Sequence, residues 1–122
     1  MRNDTMFTLH DDRFGSIRVI NIRDKSWLIV SDVLKVFGLD DCTRLLSWVD
    51  TRDIMRLMLD TPRGIEYDDA ISVKGLFAML DFMLAATLKG VLQGDDYLIE
   101  MREKISDFKS WIVGKVMPCM KQ

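Results

Sequence analysis

Four Asp-Asp doublets punctuate this 122-residue chain: Asp11-Asp12, Asp40-Asp41, Asp68-Asp69 and Asp95-Asp96. Paired carboxylates can hold a hard divalent cation, and an array of them can imitate phosphates before a basic partner. Aspartate is also favoured at turns and helix starts, and all four doublets fall at such places in the segmentation below. The single histidine, His10, stands beside Asp11 and Asp12 in a polar segment, without the positioned partner and pocket that a general base needs. Cys42 and Cys119 bring the Cys/His set to three, too few for a closed zinc site. No G-x-S-x-G elbow, P-loop or G-x-G-x-x-G occurs among the seven glycines. The expectation is a non-enzyme with no catalytic residue, no metal and no cofactor.

The stretch IVSDVLKVFGLDD, residues 29 to 41, offers the sharpest case for a reactive carboxylate, at Asp32. Structural roles account for every position in it. Ser31 stands where an apolar run hands over to a helix, and its hydroxyl is expected to cap the first turn. Asp32 in that turn meets the positive end of the helix dipole. Val33, Leu34, Val36 and Phe37 supply an inward face, and Gly38 can take the left-handed conformation that ends it. Asp32 thus reads as punctuation between a strand and a helix.

The elements around it follow from periodicity. Residues 16–23 alternate, with Ile17, Val19 and Ile22 apolar, and residues 27–30 form a second β-prone run after a turn at 24–26. Together they predict a hairpin, with residues 6–9 as an edge strand before it. Asp40-Asp41 opens a second short helix carrying Leu45, Leu46, Trp48 and Val49. Residues 53–59 fit a short strand or a helix, the turn that follows at 60–64 favours the strand, and Ser72 is a predicted cap. The next helix runs from Val73 to about Lys89, where Gly90 and Gly94 break it. Asp95 or Asp96 caps a last helix with apolar positions at Leu98, Met101, Ile105, Phe108 and Ile112, ended by Pro118. The prediction is one α+β domain, residues 1–122: a small N-terminal antiparallel sheet or hairpin with two short helices, then two longer packed helices.

Composition narrows the partners. Hydrophobic residues make up 48% of the chain and the net charge is −2, which argues against a generally basic, phosphate-neutralising surface. A local patch is the remaining route to DNA, and Arg44, Arg52, Arg56, Lys109 and Lys115 are its candidates. The C-terminal segment also carries Arg102, Lys104 and Lys121, placed where cations complement a helix dipole. A helix-turn-helix over residues 31–49 fails at two positions: Leu34 falls where a small residue is usual, and Arg44 where an apolar one is usual. Two cysteines suit reduced thiols. No secretory signal is visible, and the stretch GLFAMLDFMLAATL is interrupted by Asp81 and too short to span a bilayer. A cytoplasmic protein without membrane contact is expected. The apolar stripe over residues 98–112 and the Met-rich face of the helix before it serve either the core or self-association.

Three blocks of sequence resemble the Bro-N domain, the N-terminal module of baculovirus repeated-ORF proteins and of many bacteriophage antirepressors. The first is SIRVINIRDKSWLIVSDVLKVFGLDD, similar to the family's strand-turn-strand and its Asp-Val helix start, with Asp32, Val33 and Gly38 in those places. The second is ISVKGLFAML, with Gly75, Leu76 and Phe77. The third is FKSWIVGKVMPCM, with Phe108, Trp111 and Pro118, although Met117 replaces the usual Leu. Between the second and third blocks, DFMLAATLKGVLQGDDYLIEMREKIS is longer and more helical than the family's usual loop. The resemblance implies a phage- or prophage-encoded regulator in the bacterial cytoplasm. Such a protein acts as an antirepressor by contact with a repressor protein or, alternatively, as a DNA-binding transcriptional regulator; a homo-oligomer is expected.

Overall fold

The structure, a computed structural model, describes residues 5–39 and 43–120, with residues 43 and 44 described by backbone alone. Strands β1 (Thr5–Asp11), β2 (Gly15–Ile22) and β3 (Lys25–Ile29) lead into α1 (Val30–Val36). A single helical turn, α2 (Thr43–Leu46), precedes β4 (Ile54–Thr61) and β5 (Gly64–Ile71). Two long helices, α3 (Val73–Leu92) and α4 (Asp96–Trp111), close the domain. The α+β class, with the sheet first and longer packed helices after it, is the expected one. The sheet is larger than a hairpin, however: all five strands join in the order β1-β2-β3-β5-β4, every neighbour antiparallel.

The sheet buries both faces, with a period of two residues. Ile17, Val19, Leu28, Ile54 and Ile71 face the main core, which also takes Val33, Leu76, Met79, Leu80, Ile105, Phe108 and Ile112 from the helices. Their strand neighbours Ile20, Ile22, Trp27, Ile29, Met55, Leu57, Leu59 and Ala70 form a second, smaller cluster. Ile22 therefore lies on the face opposite Ile17 and Val19, because residues of unlike parity cannot share a face.

Strand β3 stops early, and α1 takes its place, touching both β2 and β5. Gly38, at φ +66°, turns the chain out of α1, and Gly38 and Leu39 donate to the Lys35 and Leu34 carbonyls. The expected Ser31 cap is absent. Ile29 occupies the cap position without a side-chain bond, because the helix begins two residues earlier than a cap at Ser31 requires. Ser72 does cap α3, accepting from Gly75 N at 3.1 Å, and Asp95 caps α4. Gly90 stays inside α3; a Cβ there would lie 2.0 Å from Leu98 Cδ1, so its bareness lets α4 pack close.

At 20 residues α3 is longer than the stretch read from sequence, and by length and composition alone it could cross a bilayer. Here its Leu76, Met79, Leu80 and Met83 row lies in the main core, and core helices pass the same test. After Trp111 the chain loosens into a π turn (Ile112–Val116) and a 3-10 turn (Met117–Cys119). Pro118 has no N–H, and its ring crowds the carbonyl four residues back, so α geometry cannot continue through it.

Candidate functional site

The charged centre of the fold is the cluster around Asp32. Before Val19, β2 has no β3 partner, and the Arg18 N–H donates instead to Asp32 Oδ2 at 2.8 Å. The Arg18 side chain grips the same carboxylate in a fork, Nε to Oδ2 at 2.9 Å and Nη2 to Oδ1 at 3.0 Å. Ser31 Oγ donates to Asp68 Oδ2 at 2.5 Å, and Asp68 lies 3.7 Å from Arg18 Nη2. Asp32 is buried, and Arg18 and Asp68 are largely so. The hydrogen bond to Asp32 raises the Arg18 guanidinium above its ordinary pKa, against the opposing effect of burial. Three of the four lone-pair sites of the Asp32 carboxylate are thus taken by one residue, Arg18, which fixes its position. The cluster is a clamp between β2, α1 and β5.

The Asp doublets divide. Asp11 accepts from the Arg13 and Phe14 amides in the β1–β2 turn, and Asp95-Asp96 starts α4. Asp68-Asp69 does not sit at a turn: it lies inside β5, so its side chains point to opposite faces, Asp68 to Ser31 and Asp69 to Arg56. Asp40-Asp41 and Cys42 lie outside the described residues. Among the described residues no three His, Cys, Asp or Glu side chains are grouped to hold a metal ion. His10, exposed on β1, bonds Ser16 Oγ through Nδ1 at 3.0 Å.

The residues of the three quoted blocks mostly build the scaffold. Val33, Leu76 and Phe108 are fully buried. Phe108 receives Phe14 and Phe37 edge-on at centroid distances of 5.3 and 5.4 Å, with Trp111 at 5.9 Å. Phe77 is half-buried, with Lys109 Nζ 5.0 Å from its ring centroid. Gly75 permits a close contact with two elements: a Cβ would meet Asp53 Cβ and Ile71 Cγ1 at 2.9 Å each. Asp53 and Ser72 lock this corner, since Ser72 Oγ donates to Asp53 Oδ1 at 2.7 Å. Pro118 is exposed.

The nominated cations lie on separate elements. Arg52 forks onto Asp50, which this hydrogen bonding lowers to a pKa of about 2. Arg56 lies 3.7 Å from Asp69 and over the Tyr67 ring, and Lys109 lies 3.4 Å from Asp81. Lys115 is exposed in the π turn; the Arg44 side chain and Lys121 lie outside the described residues. Of the stripes considered for the core or self-association, Met79, Met83, Ile105, Phe108 and Ile112 are buried in the core, and Leu98 and Met101 are half-buried.

Sequence reasoning passed over the exposed apolar side chains. Met58, Ile65 and Tyr67 crowd one face of the β4–β5 hairpin at 63, 62 and 63% exposure. Leu88, Leu92 and Tyr97 are exposed around the α3–α4 turn. Trp48, expected within the second helix, lies beyond that single turn and stacks on Phe82 at 4.7 Å. An open depression of about 360 Å³ is lined by residues including Lys35, Phe37, Gly38, Tyr97, Met101 and Lys104. Alternation of apolar and polar residues cannot flag such positions, because both faces of the hairpin carry apolar side chains.

Compared with protein-family models, curated proteins and solved structures, the chain matches none.

Proposed function

We propose that this protein is a phage- or prophage-encoded regulatory binding protein of the Bro-N type. It acts as an antirepressor without catalytic activity, docking on a repressor protein in the bacterial cytoplasm and releasing the genes that repressor holds off. One observation carries the preference for a protein partner over DNA. Arg52, Arg56 and Lys109, the candidates for phosphate contact whose ion pairs are described, each already face a carboxylate of their own chain. Phosphate would have to displace Asp50, Asp69 and Asp81, on a chain of net charge −2. Leu88, Leu92 and Tyr97 stand exposed meanwhile around the α3–α4 turn, and clustered exposed apolar area marks protein contact.

The test is a titration of purified protein into repressor–operator complexes from candidate phages. The expected outcome is release of operator DNA together with a co-purifying repressor complex. Operator occupancy that never changes, with no repressor retained on the immobilised protein, removes the proposal.

A further inference from the structure

We infer that β4 is a self-association edge: two copies pair β4 against β4, antiparallel about a twofold axis at Met58, fusing two five-stranded sheets into one. The inference is independent of the repressor proposal, and either can fail alone.

Among the described residues β4 ends the sheet and pairs with β5 alone, so its outer edge presents backbone N–H and C=O groups without ladder partners there. Monomeric proteins blunt such edges with lysines, prolines, bulges or short strands. β4 has none of these; charged side chains blunt edges too, but the two that β4 carries, Arg56 and Asp60, are of opposite sign. It is eight residues long, matches β5 residue for residue from Ile54↔Ile71 to Thr61↔Gly64, and contains no Lys or Pro; Pro62 comes only after its end.

Its sequence is also complementary to itself. In an antiparallel pair, residues directly opposite share a face. Rotation about Met58 sets Met58 against its own image, Leu57 against Leu59, and Arg56 against Asp60, twice. Other registers lose the match. Centring on Arg56 or Asp60 opposes like charges, centring on Leu57 sets Arg56 against Met58 and Asp60 against Ile54, and centring on Leu59 sets Asp60 against Met58. Asp60 is exposed and has no ion pair among the described residues; the Arg56 side chain, 67% exposed, faces Asp69 at 3.7 Å through Nη1 and offers its remaining guanidinium donors to Asp60 of the second copy.

Both faces gain from the pairing. Met58 lies across from Tyr67 within the hairpin, so the twofold joins two exposed Met58–Tyr67 pairs into one apolar strip. On the other face, Leu57 and Leu59 extend the second cluster across the seam. The contact is isologous and closed, so assembly stops at the dimer.

Sedimentation velocity across a concentration series tests this on the full chain. Wild type is expected to dimerise. Arg56→Asp and Asp60→Arg, each placing like charges across both ends of the seam, weaken dimerisation by about tenfold or more. The double exchange R56D/D60R restores opposite charges and returns affinity to within about threefold of wild type. Met58→Lys sets two ammonium groups face to face at the axis and gives monomer. All three positions are exposed or edge sites, and circular dichroism verifies that each variant is folded. A wild type that stays monomeric up to millimolar concentration overturns the inference. So does a dimer indifferent to the single exchanges, or a double exchange no tighter than the singles.

Discussion

Replacing Asp32 with alanine removes three hydrogen bonds at once, those from the Arg18 amide, Nε and Nη2. The Arg18 N–H of β2 is then left with no β3 residue to receive it, and the guanidinium keeps the longer contacts, to Ser31 Oγ at 3.5 Å and Asp68 at 3.7 Å. Breaking one side of a buried ion pair costs about 3–5 kcal/mol. The Arg18 side chain is 28% exposed and retains Asp68, which places the expected loss near the lower bound, about 3 kcal/mol. A domain of this length has about 6–18 kcal/mol of stability in all. Unfolding entropy scales with length, so the loss corresponds to a fall in Tm of about 12 °C. Asp32→Asn keeps an oxygen for the backbone amide and loses the charge, so it is expected to fall between wild type and alanine. Urea denaturation monitored by tryptophan fluorescence gives both values. In a double-mutant cycle with Arg18→Met, the coupling should exceed about 1 kcal/mol, as for residues in one network. A loss below about 1 kcal/mol for Asp32→Ala, or additive single effects, would refute the clamp.

Gly75→Ala should destabilise the fold by about 1–2 kcal/mol: overpacking a tight contact costs about 1–3 kcal/mol, and better helix propensity returns up to about 1 kcal/mol. Thermal melts check this, and an unchanged or raised Tm would contradict the 2.9 Å approach to Asp53 and Ile71. Asp50 should titrate near pH 2 in carboxyl NMR, and Arg52→Ala should return it to the ordinary range. Because its folded pKa is lowered, the Asp50–Arg52 pairing favours folding above the unfolded value of about 3.9 and is lost as pH falls from there through about 2. A midpoint near 4 in wild type would show that the fork does not persist in solution. Double-stranded DNA should not shift on a gel even at low salt. A complex whose affinity falls steeply with salt would instead favour the DNA-binding reading.

What the sequence disclosed depended on the range of the interaction. Local signals carried well: the strand alternation at 16–23, the caps at Ser72 and Asp95, and the left-handed Gly38 all depend on neighbours within a few residues. Ser31 went astray because its partner, Asp68, is 37 positions away on another strand, and no local rule weighs that bond against a cap. The Asp68-Asp69 doublet misled for the same reason. Its composition suits a turn, yet the ladder with β4 holds it in a strand whose two faces need a carboxylate each, one for Ser31 and Arg18, one for Arg56. The five-stranded sheet was hidden by its one weak joint. β3 and β5 share only the pairs Leu28↔Ile71 and Ile29↔Ala70, contributed by segments about forty residues apart.

That short joint also bears on where partners can act. β4 and β5 root in the main core through Ile54 and Ile71, and beyond that root Arg56, Met58, Tyr67 and Ile65 are exposed, with no described helix in the core cluster reaching them. Had the hairpin needed only to finish the sheet, polar residues on this outer face would have sufficed, as on most solvent-facing strands. Met and Tyr there lower solubility without adding to the core. A surface kept apolar at such a cost fits a hairpin that is covered in use. Substituting Met58 and Tyr67 together by threonine, a good strand former, separates the alternatives. If the face only completes the fold, stability falls and binding follows it. If the face is a contact surface, Tm holds within about 2 °C, the shift expected for exposed positions, while association is lost.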